Sequence, residues 1–568
     1  MSAVVEQLRG AVSKALEDLG LPAEDVRLTR PARLEHGDWA TPVALALARR
    51  TGRPPRELAT ELRDRLAQDP PAHVEAVEVA GPGFVNFRLR PSWLHDVLVE
   101  AVVAGKEGFA RQDLGRGERV QVEFVSANPT GPLHVGNGWL ASYGDALARL
   151  LGRCGWAVER EYYVNDTGGQ IRALGRSLLA RRRGEAVPEG GYQGEYVSTL
   201  AALYQGQDRA APGGEPLDED VTAAGRWAAE RILAHIEETL VSLGIVFDRW
   251  YSQASIEEGG ALEETVAILS GKGLLYEAEG ALMLRTTDFG DGRDRVLRKS
   301  EERGGDYTYL AGDIAYHRDK LVVRGFDRVI DVFGADHHGQ VASLRAGVAA
   351  LGVDPDRLEV RLGQMVSLVG EKMSKRSGNF VALDGLVAEL GAGATRLLSL
   401  VSSIDQAATL DLDVVRSQSA ENPVYYVQYA YARIAAINRV RAERGIAPVA
   451  LGEADLSLLD HDRELSLLRC LAELESVIAT AAAEREPHRV TAWVRDLAGR
   501  FHGFYHDCRV MGEGVAEPLT QARLWLVEGA RIGLAIGLDL LGVEAPESMT
   551  RLVEAGEPGE AGAGASAG

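Results

Sequence analysis

Cysteine is scarce in this 568-residue sequence, and the three that occur, Cys154, Cys470 and Cys508, are far apart. An odd, widely spaced set forms neither a disulfide framework nor a CxxC zinc site, so we expect a reducing, cytoplasmic environment. No window reaches the roughly 18 apolar residues of a membrane span. The N-terminus also lacks the charged-then-apolar pattern of a signal peptide. With a mean hydropathy of −0.10, the composition is that of a soluble globular protein.

Lysine is scarce as well. It occurs seven times, so arginine supplies nearly all of the positive charge, and the net charge is −21. This sign argues against a nucleic-acid partner for the chain as a whole, but phosphate binding requires only a locally basic surface. Two of the seven lysines, Lys372 and Lys375, lie in one pentapeptide. In a chain that otherwise uses arginine, the pair hints at a need for flexible ammonium groups, with chance as the competing explanation.

The length predicts about three domains. Residues 1–108 combine a helical pattern over Ala40–Leu66 with a hairpin pattern over Val77–Leu89, which predicts a small α/β domain. Residues 413–550 are almost wholly helical, as in a bundle. Residues 551–568 are mostly glycine, alanine and glutamate and cannot form a core, so we expect a disordered tail.

Residues 109–412 alternate strands with helices. Two strand–helix–strand units predict a parallel sheet of the nucleotide-binding type. Their elements are strand Val120–Val125, helix Val135–Leu151 and strand Ala157–Val164, then strand Arg328–Phe333, helix Gln340–Leu351 and strand Leu358–Val369. The segment Gly190–Leu217 is rich in glycine, proline and charge, which indicates an insertion.

The strongest local signal is ANPTGPLHVGN, Ala127–Asn137, between a predicted strand and a predicted helix. Ligands of parallel sheets bind beyond the carboxyl ends of the strands, where helix N-termini face phosphates. There His134 can donate to a phosphoryl oxygen as charge develops. Gly136 lets an adenine ring lie against the backbone, and Asn137 can donate a second hydrogen bond. A loop with a helix-capping role is the competing interpretation.

The second signal is KMSKR, Lys372–Arg376, after the last predicted strand. Mobile lysines that reach the β- and γ-phosphates suit a reaction in which pyrophosphate leaves. A basic pentapeptide alone is usually a solvated loop. The two signals in this order, at opposite ends of an α/β region, are much less expected by chance.

HVGN and KMSKR resemble the HIGH and KMSKS signatures of class I aminoacyl-tRNA synthetases. Further segments resemble the bacterial arginyl-tRNA synthetases, and the likeness extends to about residue 550. These segments are VEFVSAN at 122–128, EYYVNDTGGQ at 161–170, YTYLAGDIAYH at 307–317, GADHHGQ at 334–340, ENPVYYVQYAYARI at 421–434, FHGFYHDCRV at 501–510 and LLGVEAPESM at 540–549. Asn137 replaces the last histidine of HIGH but keeps a hydrogen-bond donor, and Arg376 replaces the last serine of KMSKS while both lysines remain.

The resemblance implies a Rossmann-like class I catalytic domain, an N-terminal α/β domain that contacts tRNA and a C-terminal all-α bundle that binds the anticodon. It implies His134, Asn137, Lys372 and Lys375 as catalytic residues. The implied ATP-binding residues are His134, Gly136, Asn137, Asp336, His338, Met373, Ser374 and Lys375. The implied arginine-binding residues are Glu123, Ser126, Asn128, His134, Gln170, Tyr309, Asp313 and His337.

Carboxylates are expected in an arginine pocket, because they are the groups that best bind a planar guanidinium with five donors. Glu123 lies among apolar strand residues, where an unpaired carboxylate is costly, although an exposed strand face is an alternative. Asp313 has a competing interpretation as the cap of a helix starting near Ile314. The pair His337 and His338 lacks a third ligand at a convincing spacing, so we expect no structural metal.

tRNA contacts are implied for the bundle at Tyr425, Gln428, Tyr429 and Arg433. Aromatic rings beside basic groups suit single-stranded bases, and helix-core aromatics are the alternative. The implied reaction is ATP-dependent adenylation of L-arginine followed by transfer to tRNA(Arg). We expect Mg²⁺ to be carried by the phosphates and the enzyme to be a monomer. The resemblance also implies that arginine activation requires bound tRNA.

Three alternatives remain at the level of sequence. A glutamate or cysteine enzyme of the same class would need a basic pocket or a zinc site. A small-molecule adenylyltransferase would not need the long helical C-terminal region. A non-catalytic RNA-binding relative would not need His134, Lys372 and Lys375.

Overall fold

The structure is a computed structural model that describes residues 3–23, 26–31, 33–209, 216–364, 366–368, 382–410 and 423–549. The tail at 551–568 lies outside the described residues. In chain order, an α/β region, a region built on a parallel sheet and a helical bundle follow one another, as predicted. All three cysteines are buried and free. Across the described part of the chain, no helix combines the length and apolarity needed to cross a bilayer.

The N-terminal region packs helices against a three-stranded antiparallel sheet. Its elements are α1 Ala3–Asp18, β1 Trp39–Thr41, α2 Val43–Thr51, α3 Pro55–Gln68, β2 Val74–Ala80, β3 Phe84–Leu89 and α4 Ser92–Gly108. The predicted hairpin is present as β2 and β3, with Val77 opposite Phe87. Ala40, predicted as helical, lies in β1 instead because it pairs with Asn86 of β3.

The middle region is built on a five-stranded parallel sheet. Its strands are β4 Arg119–Phe124, β5 Ala157–Val164, β6 Arg249–Ser252, β10 Arg328–Gly334 and β11 Leu358–Gly363, in the spatial order β11-β10-β4-β5-β6. Its helices are α5 Val135–Arg153, α6 Gly168–Arg183, α7 Glu195–Leu203, α8 Asp218–Ser242, α9 Gln253–Glu258, α10 Ala261–Gly271, α11 Tyr309–Arg318, α12 His338–Ala350, α13 Leu383–Leu390 and α14 Ala392–Ser399. A small antiparallel sheet comprises β7 Leu275–Ala278, β8 Ala281–Leu284 and β9 Arg295–Arg298.

The prediction of one strand over Leu358–Val369 is wrong. The chain leaves the main sheet after Gly363, where the backbone N–H of Gln364 donates to the carbonyl of Ile404 at 3.0 Å. It then forms β12, Val366–Leu368, which pairs with β13, Ala408–Leu410. A Cβ at Gly363 would lie 2.3 Å from the Leu140 side chain, so a larger residue at this exit would require Leu140 to move.

Four long helices form the C-terminal bundle: α15 Pro423–Glu443, α16 Asp462–Glu484, α17 His488–Asp507 and α18 Glu517–Leu541. Three glycines on one face of α18 let neighbouring helices approach closely. A Cβ at Gly529 would lie 2.5 Å from Leu98, one at Gly533 2.9 Å from Leu471, and one at Gly537 2.9 Å from Val494. The bundle therefore packs on both its own helices and α4.

Arg396 joins the bundle to the middle region. Its guanidinium is fully buried and donates to the carbonyl of Leu541 at 2.9 Å, to the carbonyl of Leu243 at 3.1 Å and to the Asp145 carboxylate at 2.5 Å. Gly542 ends α18 with a left-handed φ of 64°, and a Cβ there would overlap the guanidinium at 2.1 Å. One side chain thus connects α5, the end of α8 and the end of α18.

Candidate active site

The carboxyl ends of the five parallel strands lie at one edge of the main sheet. The loop after β4 turns sharply there, because Val125 and Ser126 have left-handed φ values of 69° and 37°. Such conformations cost about 1–3 kcal/mol each in residues other than glycine and concentrate at functional sites. The Ser126 hydroxyl holds the turn by donating to Glu123 Oε1 at 2.9 Å and accepting from the Tyr163 backbone N–H at 3.1 Å.

His134 is the N-cap of α5. Its Nδ1 accepts from the backbone N–H of Asn137 at 3.2 Å, and Asn137 Oδ1 accepts from the backbone N–H of His134 at 3.1 Å. Because Nδ1 is an acceptor, the neutral ring carries its proton on Nε2, which is therefore a donor. The capping and phosphate-binding interpretations of HVGN are thus compatible: one nitrogen caps the helix, and the other can donate.

Gly136 keeps the His134 ring in place. A Cβ at this position would lie 3.0 Å from Cε1 and 3.1 Å from Nδ1 of the imidazole. The missing side chain therefore makes room for His134, in addition to any nucleotide base. The N-terminus of α5 also presents backbone N–H groups and the positive end of the helix dipole, which favour anions.

The chain that follows the KMSKR segment returns to His134. Ala382 forms an antiparallel bridge with His134, and the backbone N–H of Leu383 donates to the carbonyl of Leu133 at 2.9 Å. Gly138 accommodates this return, since a Cβ there would lie 2.5 Å from the Leu383 side chain. Lys372, Met373, Ser374 and Lys375 themselves lie outside the described residues.

Three buried carboxylates form a row across the main sheet. Glu123 of β4 is in register with Asp331 of β10 on one side and Glu161 of β5 on the other. Their exposed fractions are 4%, 0% and 0%. Adjacent strands are only about 5 Å apart, so this acid row (Asp331, Glu123 and Glu161) requires cations beside it.

The cations come from the π-helical segment Asp319–Val323, which follows α11, and from Arg324, the residue that ends this segment. Lys320, fully buried, donates to Glu123 Oε2 at 2.5 Å and to Asp331 Oδ1 at 2.9 Å. Arg324 donates to both oxygens of Glu161, at 2.9 Å for Oε1. Burial raises the pKa of Glu123, and the Lys320 ammonium opposes this rise. Both Glu123 oxygens accept hydrogen bonds, as expected of an ionised carboxylate.

His317 is a further buried partner of the acid row. Its Nε2 lies 2.7 Å from Asp331 Oδ2, and its Nδ1 lies 2.8 Å from the backbone carbonyl oxygen of Asp313. Burial alone would raise the pKa of Asp331, but Lys320 and His317 outweigh it and lower this pKa to about 2. Asp331 is therefore ionised, with Lys320 and His317 as its side-chain partners.

Asp313 is in the second turn of α11. The helix begins at Tyr309 with Thr308 as its N-cap, so the predicted start near Ile314 is wrong and the capping interpretation of Asp313 fails. Asp313 is half-buried, and within the described part of the chain its carboxylate accepts no hydrogen bond and joins no ion pair. Burial raises its pKa to about 6, although His317 opposes the rise. This carboxylate can bind a cation.

The other residues predicted for the arginine site differ from one another in their contacts and in their exposure. Asn128 Nδ2 donates to Gln170 Oε1 at 2.9 Å, which fixes both side chains beside the β4 loop. Tyr309 is 71% exposed at the first position of α11. His337 lies farther along the edge, 3.4 Å from Gln340 Oε1 through Nδ1.

Asp336 and His338, predicted to bind ATP, begin the segment after β10. Both are exposed, with Asp336 Oδ2 lying 3.7 Å from His337 Nε2. They are at the same sheet edge as His134, since β10 and β4 are adjacent and parallel. No described contact joins their side chains to the His134 loop.

The residues predicted to bind tRNA lie on α15 and face the bundle. Tyr425 and Tyr429 are only 7% and 8% exposed, and their rings stack with centroids 5.9 Å apart. Arg433 lies over Tyr429 at 4.6 Å and over Tyr505 at 4.7 Å. Gln428 donates to the carbonyl of Glu544 at 3.1 Å. For these two tyrosines the core interpretation fits the described geometry, whereas Tyr505 is 41% exposed.

His317, Lys320 and Asp331 were not predicted from the sequence as site residues. A signal existed for Asp331, because it is a lone carboxylate in the apolar strand RVIDVF and resembles Glu123 in VEFV. The spacing of His317 and Lys320 places them on one helix face. Without the register of β4 with β10, however, that face is indistinguishable from a solvated one.

Family models match three parts of the chain. They describe the arginyl tRNA synthetase N terminal domain at residues 6–89, the catalytic domain of tRNA synthetases class I (R) at 218–430 and the DALR anticodon binding domain at 427–549. The three matches follow one another in the order of the three structural regions.

Individual relatives extend over nearly the whole chain. The arginine–tRNA ligase of Syntrophotalea carbinolica is 44% identical over 92% of this chain and 95% of its own length. That of Frankia alni is 45% identical over 96% and 99%, respectively. The arginyl-tRNA synthetase structure from Thermus thermophilus superposes with a TM-score of 0.75 at 26% identity, covering 96% of this chain and all of that one. With relatives this similar over such lengths, the chain belongs to the arginyl-tRNA synthetase family.

Proposed function

We propose that this chain adenylates L-arginine with ATP and transfers the arginyl group to the 3′ end of tRNA(Arg), releasing AMP and pyrophosphate. Membership of the class I family supports ATP-dependent catalysis. The observation that carries the choice of amino acid is the Asp313 carboxylate. It is half-buried beside the acid row, and no described residue neutralises it. A guanidinium complements such a group in charge and in donor geometry.

The adenylation step requires positioning and charge stabilisation more than covalent chemistry. The arginine carboxylate attacks the α-phosphate, and pyrophosphate leaves. His134 Nε2–H and the N-terminus of α5 are suited to stabilise the phosphate charge. Lys372 and Lys375 would complete this role from the KMSKR segment.

We assign magnesium to the phosphates of ATP. Mg²⁺ prefers oxygen ligands in octahedral geometry and retains water. Asp336, which follows β10, is an exposed carboxylate at this edge of the sheet. Among the described residues, Cys470, Glu473 and Asp496 of the bundle have ligand atoms close enough together to hold a metal ion. The Cys470 thiol donates to Asp496 at 3.6 Å, and burial raises the pKa of this thiol. This cluster is therefore a poor fit to Mg²⁺.

The remaining assignments are also proposals. The catalytic domain spans 109–412, with an insertion between its halves, the N-terminal tRNA-contacting domain spans 1–108 and the anticodon-binding domain spans 413–550. We propose that the enzyme acts as a monomer in the cytoplasm. Tyr425, Gln428, Tyr429 and Arg433 would contribute to tRNA binding by shaping the bundle surface around Tyr505.

ATP–pyrophosphate exchange, measured with each amino acid with and without tRNA, tests the proposal. Of the amino acids tested, we expect only arginine to support exchange, and only when tRNA(Arg) is present. Exchange with glutamate or cysteine would indicate a different synthetase, and exchange with other acids a small-molecule adenylyltransferase. The absence of any exchange would favour a non-catalytic RNA-binding protein.

The pKa of Asp313 predicts how arginine binding responds to pH. Its ionised form binds the guanidinium, and burial raises its pKa to about 6. The KM for arginine should therefore be constant above about pH 7 and increase about tenfold per unit as the pH falls below 6. Steady-state kinetics between pH 5.5 and 8.5 at saturating ATP and tRNA would measure this, with the KM for ATP as the control. A flat arginine profile would contradict the role of Asp313.

Lys375→Ala should depress pyrophosphate exchange strongly, by about a hundredfold, with little change in the KM for arginine. The lysine is expected to contact phosphate charge that moves during the reaction. Lys272→Ala is the matched control, because the hydrogen bonds of Lys272 within the described part of the chain go to the carbonyls of Ala350 and Leu351. A collapse of arginine affinity with normal exchange at saturating arginine would place the segment in the amino-acid pocket instead.

A further inference from the structure

The polar face of α11 and the π-helical segment after it has a regular order of charges. Asp313, His317, Lys320 and Arg324 follow one another at spacings of four, three and four residues, so they share one face. Three of them contact the acid row: Arg324 binds Glu161, Lys320 binds Glu123 and Asp331, and His317 binds Asp331. Asp313 is the fourth member and the one with the opposite sign.

The helix runs from the edge of the sheet towards the start of β10, because Arg324 precedes that strand by four residues. Asp313 is therefore the member of this face nearest the edge at which the strands end. The three basic side chains occupy the deeper positions. The charges along the face thus change sign where the substrate pocket of the proposed function begins.

Lys320 is the one group of this face that contacts two members of the acid row. Its ammonium lies 2.5 Å from Glu123 Oε2 and 2.9 Å from Asp331 Oδ1. Arg324, at the other end of the row, is shared by Glu161, Glu159 and Asp319. Glu123 thus has the Lys320 ammonium as its ion-pair partner, while Asp313 has none among the described residues.

We propose that Lys320 is a positioning residue for arginine binding, because its ammonium keeps the Glu123 carboxylate ionised and fixed in orientation in the pocket of the proposed function. This inference rests on the proposed function of the same site. Lys320 touches no substrate in this role. It acts through Glu123, which it keeps ionised and pointing along the row, and through Asp331.

Removing the ammonium should therefore change binding in a particular way. Without Lys320, Glu123 and Asp331 are adjacent buried carboxylates, which cannot both stay ionised at neutral pH. The pair takes up a proton, Glu123 loses its fixed orientation, and arginine binding becomes dependent on pH in a range where the wild type is constant. Deprotonation at higher pH restores the ionised form of Glu123, so the loss should diminish as the pH rises.

Lys320→Met is the first test, in the full-length enzyme with tRNA(Arg). We expect the KM for arginine at pH 7 to increase about tenfold or more, while kcat at saturating arginine and the KM for ATP change less than about threefold. Between pH 7 and 9 the KM should fall back towards the wild-type value. Lys320→Arg, which keeps the charge, should stay close to the wild type. Lys272→Met is the matched control, because that exposed lysine contacts no carboxylate.

The decisive variant combines Lys320→Met with Asp331→Asn. It removes the neighbouring carboxylate of β10 together with the ammonium, so Glu123 can stay ionised without Lys320, and it keeps an acceptor for His317. The KM for arginine should therefore return to within about fivefold of the wild type. It also tests the proposal if Lys320→Met alone does not fold. A double variant that stays as impaired as the single one, or a folded Lys320→Met with unchanged arginine KM at every pH, would overturn the proposal. A wild-type enzyme without arginine-dependent exchange would refute the proposed function instead.

Discussion

Asp313→Asn is expected to lower kcat/KM for arginine by at least a hundredfold. A buried ion pair that loses one partner typically costs about 3–5 kcal/mol, and asparagine keeps the shape of the side chain while removing its charge. Citrulline, which is uncharged and nearly isosteric with arginine, should lose much less, so discrimination between the two should narrow. Pyrophosphate exchange with both amino acids, at several concentrations, provides the two ratios.

The structure sharpens this test, because a capping role no longer competes. Asp313 is in the second turn of α11, behind the N-cap Thr308, and its carboxylate has no partner among the described residues that the substitution could disrupt. Asp319→Asn is the matched control. That carboxylate belongs to the same helical segment but is paired with Arg324 Nε at 2.7 Å, so its loss should affect stability and not discrimination. An Asp313→Asn enzyme with wild-type arginine kinetics would remove this residue from the pocket.

His134→Ala is expected to slow adenylation by about a hundredfold or more, since one transition-state donor contributes roughly 3–4 kcal/mol. The affinity for tRNA should barely change. The same substitution removes the N-cap of α5, which costs about 1 kcal/mol of stability. Single-turnover adenylation, tRNA binding and the melting temperature, measured on one preparation, separate these effects.

The chain contains a matched control for the cap. His461 is the N-cap of α16 and forms a capping box with Glu464, far from the sheet edge along the chain. His461→Ala should therefore reproduce the loss of stability with normal adenylation. His134→Asn should keep the cap, because asparagine is among the best N-cap residues, yet still lose most of the rate. Slow adenylation in the His461 variant, or normal adenylation in His134→Ala, would mean that the rate depends on helix stability.

The elements that the sequence predicted well are those whose local signals agree. Val135–Leu151 has an apolar face with helical spacing and glycines at its end, and the structure has a helix over Val135–Arg153. Strand Ala157–Val164 has the predicted limits. The prediction of one strand over Leu358–Val369 failed because an apolar run does not reveal that its two halves pair with different strands. The start of α11 was predicted wrongly because Tyr309–Gly312 lacks an apolar period and Thr308 makes no capping hydrogen bond through its side chain.

The candidate site was predictable only in part, for the same reason. HVGN was identified because glycine and a histidine between strand and helix form a local pattern. The acid row depends on the register of Glu123 with Asp331 and Glu161, which joins distant parts of the chain. Likewise, nothing in ENPVYYVQYAYARI shows which ring faces the bundle. Tyr425 and Tyr429 contact each other, and Tyr429 also contacts His502 of another helix, which a single helix does not specify.

The Arg396 contact also limits how such an enzyme can be recombined. Its guanidinium binds three acceptors that belong to different stretches of chain, and Gly542 is the residue whose lack of a side chain admits it. A chimera whose bundle has a side chain at the position of Gly542 would crowd this guanidinium, and one whose last helix ends elsewhere would remove the Leu541 carbonyl from it. A buried donor left unpaired costs several kcal/mol. The bundle is therefore exchangeable only where its last helix ends in the same way, or together with Asp145, the end of α8 and Arg396, so the unit of inheritance is larger than the domain.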